Sequence, residues 1–262
     1  MKVREGMSEI KRCVIKLGSA IVTNGGAGLA LDSIKQWAEQ VVKLRQDGVE
    51  VVVVSSGAIA EGMQRLGMEV RPQEIHQQQA AAAVGQSGLV HAYESCFAKA
   101  GLQTAQILLT HDDVHNSVRF LNAKNSINTL LKMGVVPVVN ENDTVATDEL
   151  RLGDNDTLAA LVSNVIDADL LIILTDQNGM YNGDPRNNPD AELLTKVDVT
   201  DKSLDKMAGG SAGELGRGGM STKLEAARIA SSRGAKTIVA NGLENQILLR
   251  LLQGEQLGTL FV

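Results

Sequence analysis

Apolar and polar positions along this chain fall into two alternating rhythms. RCVIKLG, VEVVVVSSGA, TAQILLT, VVPVVN, DLLIILT and AKTIVAN are short apolar runs, mostly β-branched, as in strands buried on both faces. Between them apolar residues recur at helical spacing. In LDSIKQWAEQVVKLRQDG they are Leu31, Ile34, Trp37, Ala38, Val41, Val42 and Leu44, with Asp32 near the start and Gly48 as a stop. Pro72 opens a second helix that runs to Gly101, and NSVRFLNAKNSINTLLKMG is a third, closed by Gly134. NDTLAALVSNVID, STKLEAARIASSRG and ENQILLRLLQG complete the set. The proline inside VVPVVN predicts an edge strand or a bulge.

Strands alternating with helices require crossover connections. They predict an α/β fold of three layers, helices on both faces of a central, mostly parallel sheet. No Pro/Ser-rich linker and no internal repeat divides the chain, so residues 1–262 are expected to form one domain. In such sheets ligands gather at the carboxyl ends of the strands. Lys16–Ser19, Ser55–Gly57, Asn140–Asp143 and Thr175–Gly179 all follow strands, and on one sheet edge they would line a single crevice. Three long stretches lack periodicity: NENDTVATDELRLGDND, TDQNGMYNGDPRNNPD and AGGSAGELGRGGMSTK. Loops of this length in a compact domain are more often functional than not.

Composition narrows the function. Aromatics are 2% of the chain, so the core must be built from Val, Ile, Leu and Ala. A net charge of -6 with few stacking rings argues against a nucleic-acid partner. A small anionic substrate remains compatible, because local lysines and glycine amides outweigh the global charge. MKVREGMSEIKR has no apolar core, and no apolar run approaches the ~20 residues of a membrane span. The expectation is a cytoplasmic enzyme with no membrane partner. Cys13, in a strand, and Cys96, in a helix, read as reduced and inert.

Several residues could carry chemistry. Lys16, Gly18 and Ser19 end the first strand, where backbone N–H groups and an ammonium can meet an anion; a solvent-facing lysine is the plainer alternative. Ser55–Ala58 is the same device without the cation, or an ordinary turn with a serine N-cap. The acidic segment alternates Glu141, Asp143, Asp154 and Asp156 with Asn140, Asn142 and Asn155. It reads as a solvated hairpin, or as a grip on both the ammonium and the carboxylate of an amino acid. TDQNGMYNGDPR is a turn that lacks calcium-loop spacing; Tyr181 or its neighbours could lie against a nucleobase. His111 and His115 bracket two aspartates, but catalytic zinc needs a third ligand, and a helix N-terminus suits the acids better. In GRGGMSTK, Gly216, Gly218 and Gly219 allow close backbone approach to a polyphosphate. Ser221 and Thr222 can cap the next helix, and Lys223 in its first turn opposes the helix dipole unless an anion sits nearby. The order is not that of a Walker motif.

VIKLGSA, VVVVSSGAIAEG, RFLNAKNSINTLL, VVPVVNENDTVATDELRLGDND, LLIILTDQNGMYNGDPR and GRGGMSTKLEAA together resemble the amino acid kinases, and among them the glutamate 5-kinases, in order and over nearly the whole chain. Ala20 stands where a second Ser or Thr is common, and YNGDPR replaces the usual YTADPR. The resemblance implies the amino acid kinase fold, with an acceptor-binding part at about 1–165 and an ATP-binding part at about 166–262. Many members carry a C-terminal PUA-type domain, which this chain is expected to lack. The reaction implied is transfer of phosphate from ATP, with Mg²⁺, to the γ-carboxylate of L-glutamate, the first step toward proline. Feedback inhibition by proline and a homo-oligomer, dimer or tetramer, come with it.

The implied roles are specific. Lys16 and Lys223 flank the transferring phosphoryl, and Asp156 holds both ammonium groups. Ser56, Asp143 and Asn155 bind glutamate, and Gly57 adds a backbone donor. Lys16, Gly18, Ser19, Thr175, Asp176, Arg217, Gly218, Gly219, Met220, Ser221, Thr222 and Lys223 line the ATP site. No residue is expected to ligate metal. The alternatives are a kinase of aspartate, N-acetylglutamate or UMP, and a non-catalytic sensor of an amino acid and a nucleotide.

Overall fold

The computed structural model describes residues 4–146, 155–209 and 219–262. Its strands are β1 (Arg12–Leu17), β2 (Glu50–Ser55), β3 (Thr104–Leu109), β4 (Val136–Glu141), β5 (Leu170–Thr175), β6 (Lys196–Val197), β7 (Lys236–Asn241) and β8 (Thr259–Phe261). Its helices are α1 (Ser19–Val22), α2 (Leu31–Gln46), α3 (Ala58–Arg65), α4 (Ile75–Ala98), α5 (His111–His115), α6 (Ser117–Lys132), α7 (Asn155–Val165), α8 (Ser203–Ala208), α9 (Met220–Ser231) and α10 (Ile247–Leu252). All eight strands join one sheet, in the order β3-β4-β2-β1-β5-β7-β8-β6. Neighbours run parallel except β7 and β8.

The six apolar runs become β1 to β5 and β7. The two and three residues of β6 and β8 are too short to show a period, so they enter only as additions to the sheet. The same holds for the four-residue α1 and six-residue α8. Pro72 lies ahead of α4 rather than opening it, because the chain there bends before Ile75 takes up the helix.

VVPVVN departs from its expectation. β4 is an interior strand, paired on one side with β3 and on the other with β2. Val136 donates to Gln103 O on the β3 side, so the next residue, Pro137, turns its missing donor toward β2. The β2 ladder begins one residue later, at Val53 with Val138. The proline therefore spares the β3 ladder and falls just ahead of the β2 ladder.

Period-two alternation sorts the strand residues into two cores. Cys13, Ile15, Leu17, Val51, Val53, Val136 and Val138 pack with α2, α4 and α10. Val14, Val52, Val54, Val139, Leu171 and Ile173 pack with α6, α7 and α9. Lys16, two residues after Val14, thus falls on the face covered by α7 and α9. The chain leaves β1 toward β2 on one side and later returns to β5 on the other, so the switch point of the sheet lies at β1.

Helices α3 and α4 touch backbone to backbone. A Cβ on Gly62 would lie 1.7 Å from Ala81 O, and one on Gly85 would lie 1.9 Å from Ala58 O. Only glycine at both places lets α4 press α3 against the strand end that precedes it.

Candidate active site

At the carboxyl edge of β1, three charged side chains share one buried point. Asp156 Oδ1 lies 2.5 Å from Lys16 Nζ, and its Oδ2 lies 3.1 Å from Lys223 Nζ. Asp156 is fully buried, and each lysine is only 6% exposed. Each residue is there for a local reason. Lys16 ends β1 on the α7–α9 face. Asp156 occupies the first turn of α7, where the helix dipole favours an anion. Lys223 occupies the first turn of α9, where the dipole disfavours a cation. The anion that the sequence required near Lys223 is supplied, within the protein itself, by Asp156. Burial opposes ionisation of Asp156, but Lys16 and then Lys223 outweigh it and hold the carboxyl well below its ordinary range.

Thr222 completes this cluster. Its Oγ1 lies 3.0 Å from Asp156 Oδ2 and 2.9 Å from Gly219 O. The N-cap of α9 is Gly219, without a side-chain cap. Ser221 and Thr222 therefore do not cap the helix, because they sit inside its first turn rather than ahead of it.

The adjacent residue, Asn155, faces the other way, as a one-residue step on a helix requires. Its Nδ2 lies 3.2 Å from Ser55 O, 3.1 Å from Ser56 Oγ and 3.0 Å from Asn140 Oδ1. This joins the ends of β2 and β4 to the start of α7. The turn after β2 is closed by Gly57, at φ 113, in a conformation that side chains rarely adopt. Gly57 precedes α3 without a side-chain cap, so no serine has the N-cap role there. Ser56 donates its amide to Leu17 O at 3.2 Å, which ties this turn to the end of β1.

Four strand ends do meet in one region. Asp143 lies in the turn after β4 and lines a cavity of about 300 Å³ with Gln86, Glu141 and Asn142. Thr175 is buried at the end of β5, and the exposed Asp176 accepts from its hydroxyl at 3.1 Å. Ser19 opens α1, and the Gly18 amide donates to Leu174 O at 3.2 Å. That amide is engaged in the sheet, so the backbone donors of this turn start at Ser19. Gly219 and Met220 begin α9. Arg217 and Gly218 lie outside the described residues, as do Gly216 and Asp154.

The remaining motifs resolve into local structure. HDDVH forms α5, opened by a capping box between Thr110 and Asp113. In the DPR turn, Arg186 hydrogen-bonds Asp184 and lowers its pKa. Tyr181 pairs with Leu193 in an isolated bridge. Two residues of the site were not singled out from sequence: Tyr93, whose hydroxyl lies 2.8 Å from Ser55 Oγ, and Gln86, whose Oε1 accepts from Asn140 Nδ2 at 2.8 Å. Their signal was slight, polar groups in an alanine-rich helix.

A family model, the amino acid kinase family, matches residues 11–241. The chain belongs to that family. Among its relatives, a glutamate 5-kinase of Hydrogenovibrio crunogenus is 59% identical over 252 residues, covering 96% of this chain and 67% of the relative. The glutamate 5-kinase of Hahella chejuensis is 56% identical over 261 residues, covering 100% and 68%. That of Pseudomonas aeruginosa strain UCBPP-PA14 is 56% identical over 258 residues, covering 98% and 69%. In these alignments this amino acid kinase chain spans about two thirds of each relative's length. A UMP kinase from Bacillus anthracis shares the fold, at a TM-score of 0.64 and 16% identity over 96% of both chains. No helix among the described residues is long and apolar enough to cross a membrane.

Proposed function

We propose that the protein is an ATP-dependent glutamate 5-kinase, and that Lys16, Asp156 and Lys223 are the centre of its phosphoryl-transfer site. The observation that carries this reading is the single buried carboxylate gripped by two lysines from different elements. The reaction needs no protein base, because the acceptor carboxylate is already ionised at neutral pH. A γ-carboxylate oxygen of glutamate attacks the γ-phosphorus of ATP. The new O–P bond forms as the bond to the β–γ bridging oxygen breaks, giving L-glutamyl 5-phosphate and ADP. The protein has to position the partners and neutralise charge on the moving group.

Lys16 reaches that group from the strand end and Lys223 from the helix, with Asp156 fixing the spacing between them. Ser56, Asn155 and Asp143 lie on the β2–β4 side, which suits the acceptor. Ser19, Thr175, Asp176 and the first turn of α9 lie toward β5, which suits ATP. Mg²⁺ would enter on the ATP phosphates, which supply its oxygen ligands together with water. It would offset phosphate charge there, and we assign it no protein ligand. The family resemblance further supports inhibition by proline and assembly into a dimer or tetramer.

The test is ADP release with L-glutamate, aspartate, N-acetylglutamate and UMP in parallel, trapping acyl phosphate with hydroxylamine. Hydroxamate that depends on L-glutamate is the expected result. Turnover without it, or with another acceptor alone, overturns the reading. Addition of L-proline to the same assay, and light scattering of the protein, test the inhibitor and the assembly.

A further inference from the structure

Helix α4 contributes no residue to the chemistry proposed above, yet it is wired to the acceptor side of the crevice with a fixed polarity. The backbone carbonyl of Ser55 can only accept, so Asn155 must turn its Nδ2 toward it, at 3.2 Å. That Nδ2 also lies 3.0 Å from Asn140, which must then present Oδ1. Asn140 Nδ2 is left on the far side and donates to Gln86 Oε1 at 2.8 Å. One carbonyl thus sets three amide orientations in series. The last of them leaves Gln86 Nε2 buried with no hydrogen-bond partner among the described residues. A side chain free to choose would avoid that outcome, so the polarity is imposed from the Asn155 end.

Two further contacts keep α4 in place. Gly85, next to Gln86, seats it against α3. Two turns further along the same face, Tyr93 reaches Ser55; since Ser55 Oγ donates to Ser56 O at 3.0 Å, the Tyr93 hydroxyl is the donor to Ser55 Oγ.

We propose that Gln86 is a positioning residue for the acceptor. By accepting from Asn140 Nδ2, it holds Asn140 Oδ1 against Asn155 Nδ2. It thus braces in place an amide whose polarity the Ser55 carbonyl sets, with Asn155 Oδ1 left for the crevice. There the amide carbonyl accepts from the α-ammonium of the amino acid. The relay ends beside Asp143, which lines the same cavity as Gln86. This inference rests on the reading of the acceptor as an amino acid.

The test compares Gln86→Met, which keeps the length and removes the acceptor, with Gln86→Glu, which keeps an acceptor for Asn140. Wild type is assayed first; no turnover of an amino acid there overturns the acceptor reading, and the relay's role with it. With an active wild type, Gln86→Met should raise the KM for the amino acid by about tenfold or more, the effect of one lost hydrogen bond to a charged group. Its KM for ATP and its kcat should stay near wild type, and Gln86→Glu should restore the acceptor KM. A smaller rise, an equal loss toward ATP, or a Gln86→Glu variant as impaired as Gln86→Met overturns the proposal while leaving the kinase reading intact. Should Gln86→Met fail to fold, Gln86→Ala is read by the same criteria.

Discussion

Asn155 and Asp156 are neighbours in the chain and serve opposite halves of the crevice. Asn155 donates to Ser55, Ser56 and Asn140, whereas Asp156 receives Lys16, Lys223 and Thr222. Two consecutive residues in the first turn of α7 therefore set the distance between the ends of β2 and β4 and the Lys16–Lys223 cluster. A shift of this helix start would move both.

Asp156 should be the most sensitive position for stability. Asp156→Asn removes the buried carboxylate that two buried ammonium groups share, a loss of about 3–5 kcal/mol. The sign with pH follows from the depressed pKa. The contribution is complete above the unfolded-state value of 3.8 and is lost as pH falls below it, through the lower folded-state value. Urea midpoints of wild type and Asp156→Asn should therefore lie far apart at pH 7 and converge toward pH 3. A gap that did not narrow would refute the charge argument.

Lys16 and Lys223 should be separable from the fold. Lys16→Ala or Lys223→Ala leaves Asp156 one cationic partner, so the variants should fold. Turnover should fall about 10²–10³-fold or more, as when a transition-state donor is removed. Hydroxamate formation measures this, with circular dichroism as the control. Near-normal turnover in either variant would contradict the assigned roles.

Gly62→Ala should be costly for a site that no ligand touches. Its new methyl would meet Ala81 O at 1.7 Å, a backbone atom that cannot swing aside. Overpacking of this kind costs about 1–3 kcal/mol. Thermal melting would show it, and an unchanged Tm would mean that α3 and α4 can part without penalty.

The two cysteines should differ in reactivity. Cys13 is buried in β1, and burial pushes its thiol up to about 12, with Asp169 adding to the effect. Cys96 is partly exposed on α4. Iodoacetamide at pH 8 should label Cys96 in the folded protein and reach Cys13 only after denaturation. Labelling of Cys13 at a comparable rate would show that β1 opens readily.

The sequence by itself determined the parts of this molecule governed by near neighbours. Unbroken runs such as DLLIILT and the 3.6-residue spacing of Leu31 to Leu44 announce element type, because burial repeats with the local geometry. Strand ends at Lys16, Ser55, Asn140 and Thr175 mark the ligand edge, because parallel strands deliver all their carboxyl ends to one side. Lys223 stood out because a cation in a helix's first turn conflicts with the dipole. Tertiary structure alone decided which groups meet. That Pro137 can sit inside the sheet depends on which neighbour its missing donor faces. That Asp156 answers both lysines, and that Gln86 reaches Asn155 through Asn140, depends on contacts between residues far apart in the chain, Lys223 lying 67 positions from Asp156 and Lys16 farther still. No local period encodes such distances. They follow from the strand order, which the long-range packing of the two cores sets.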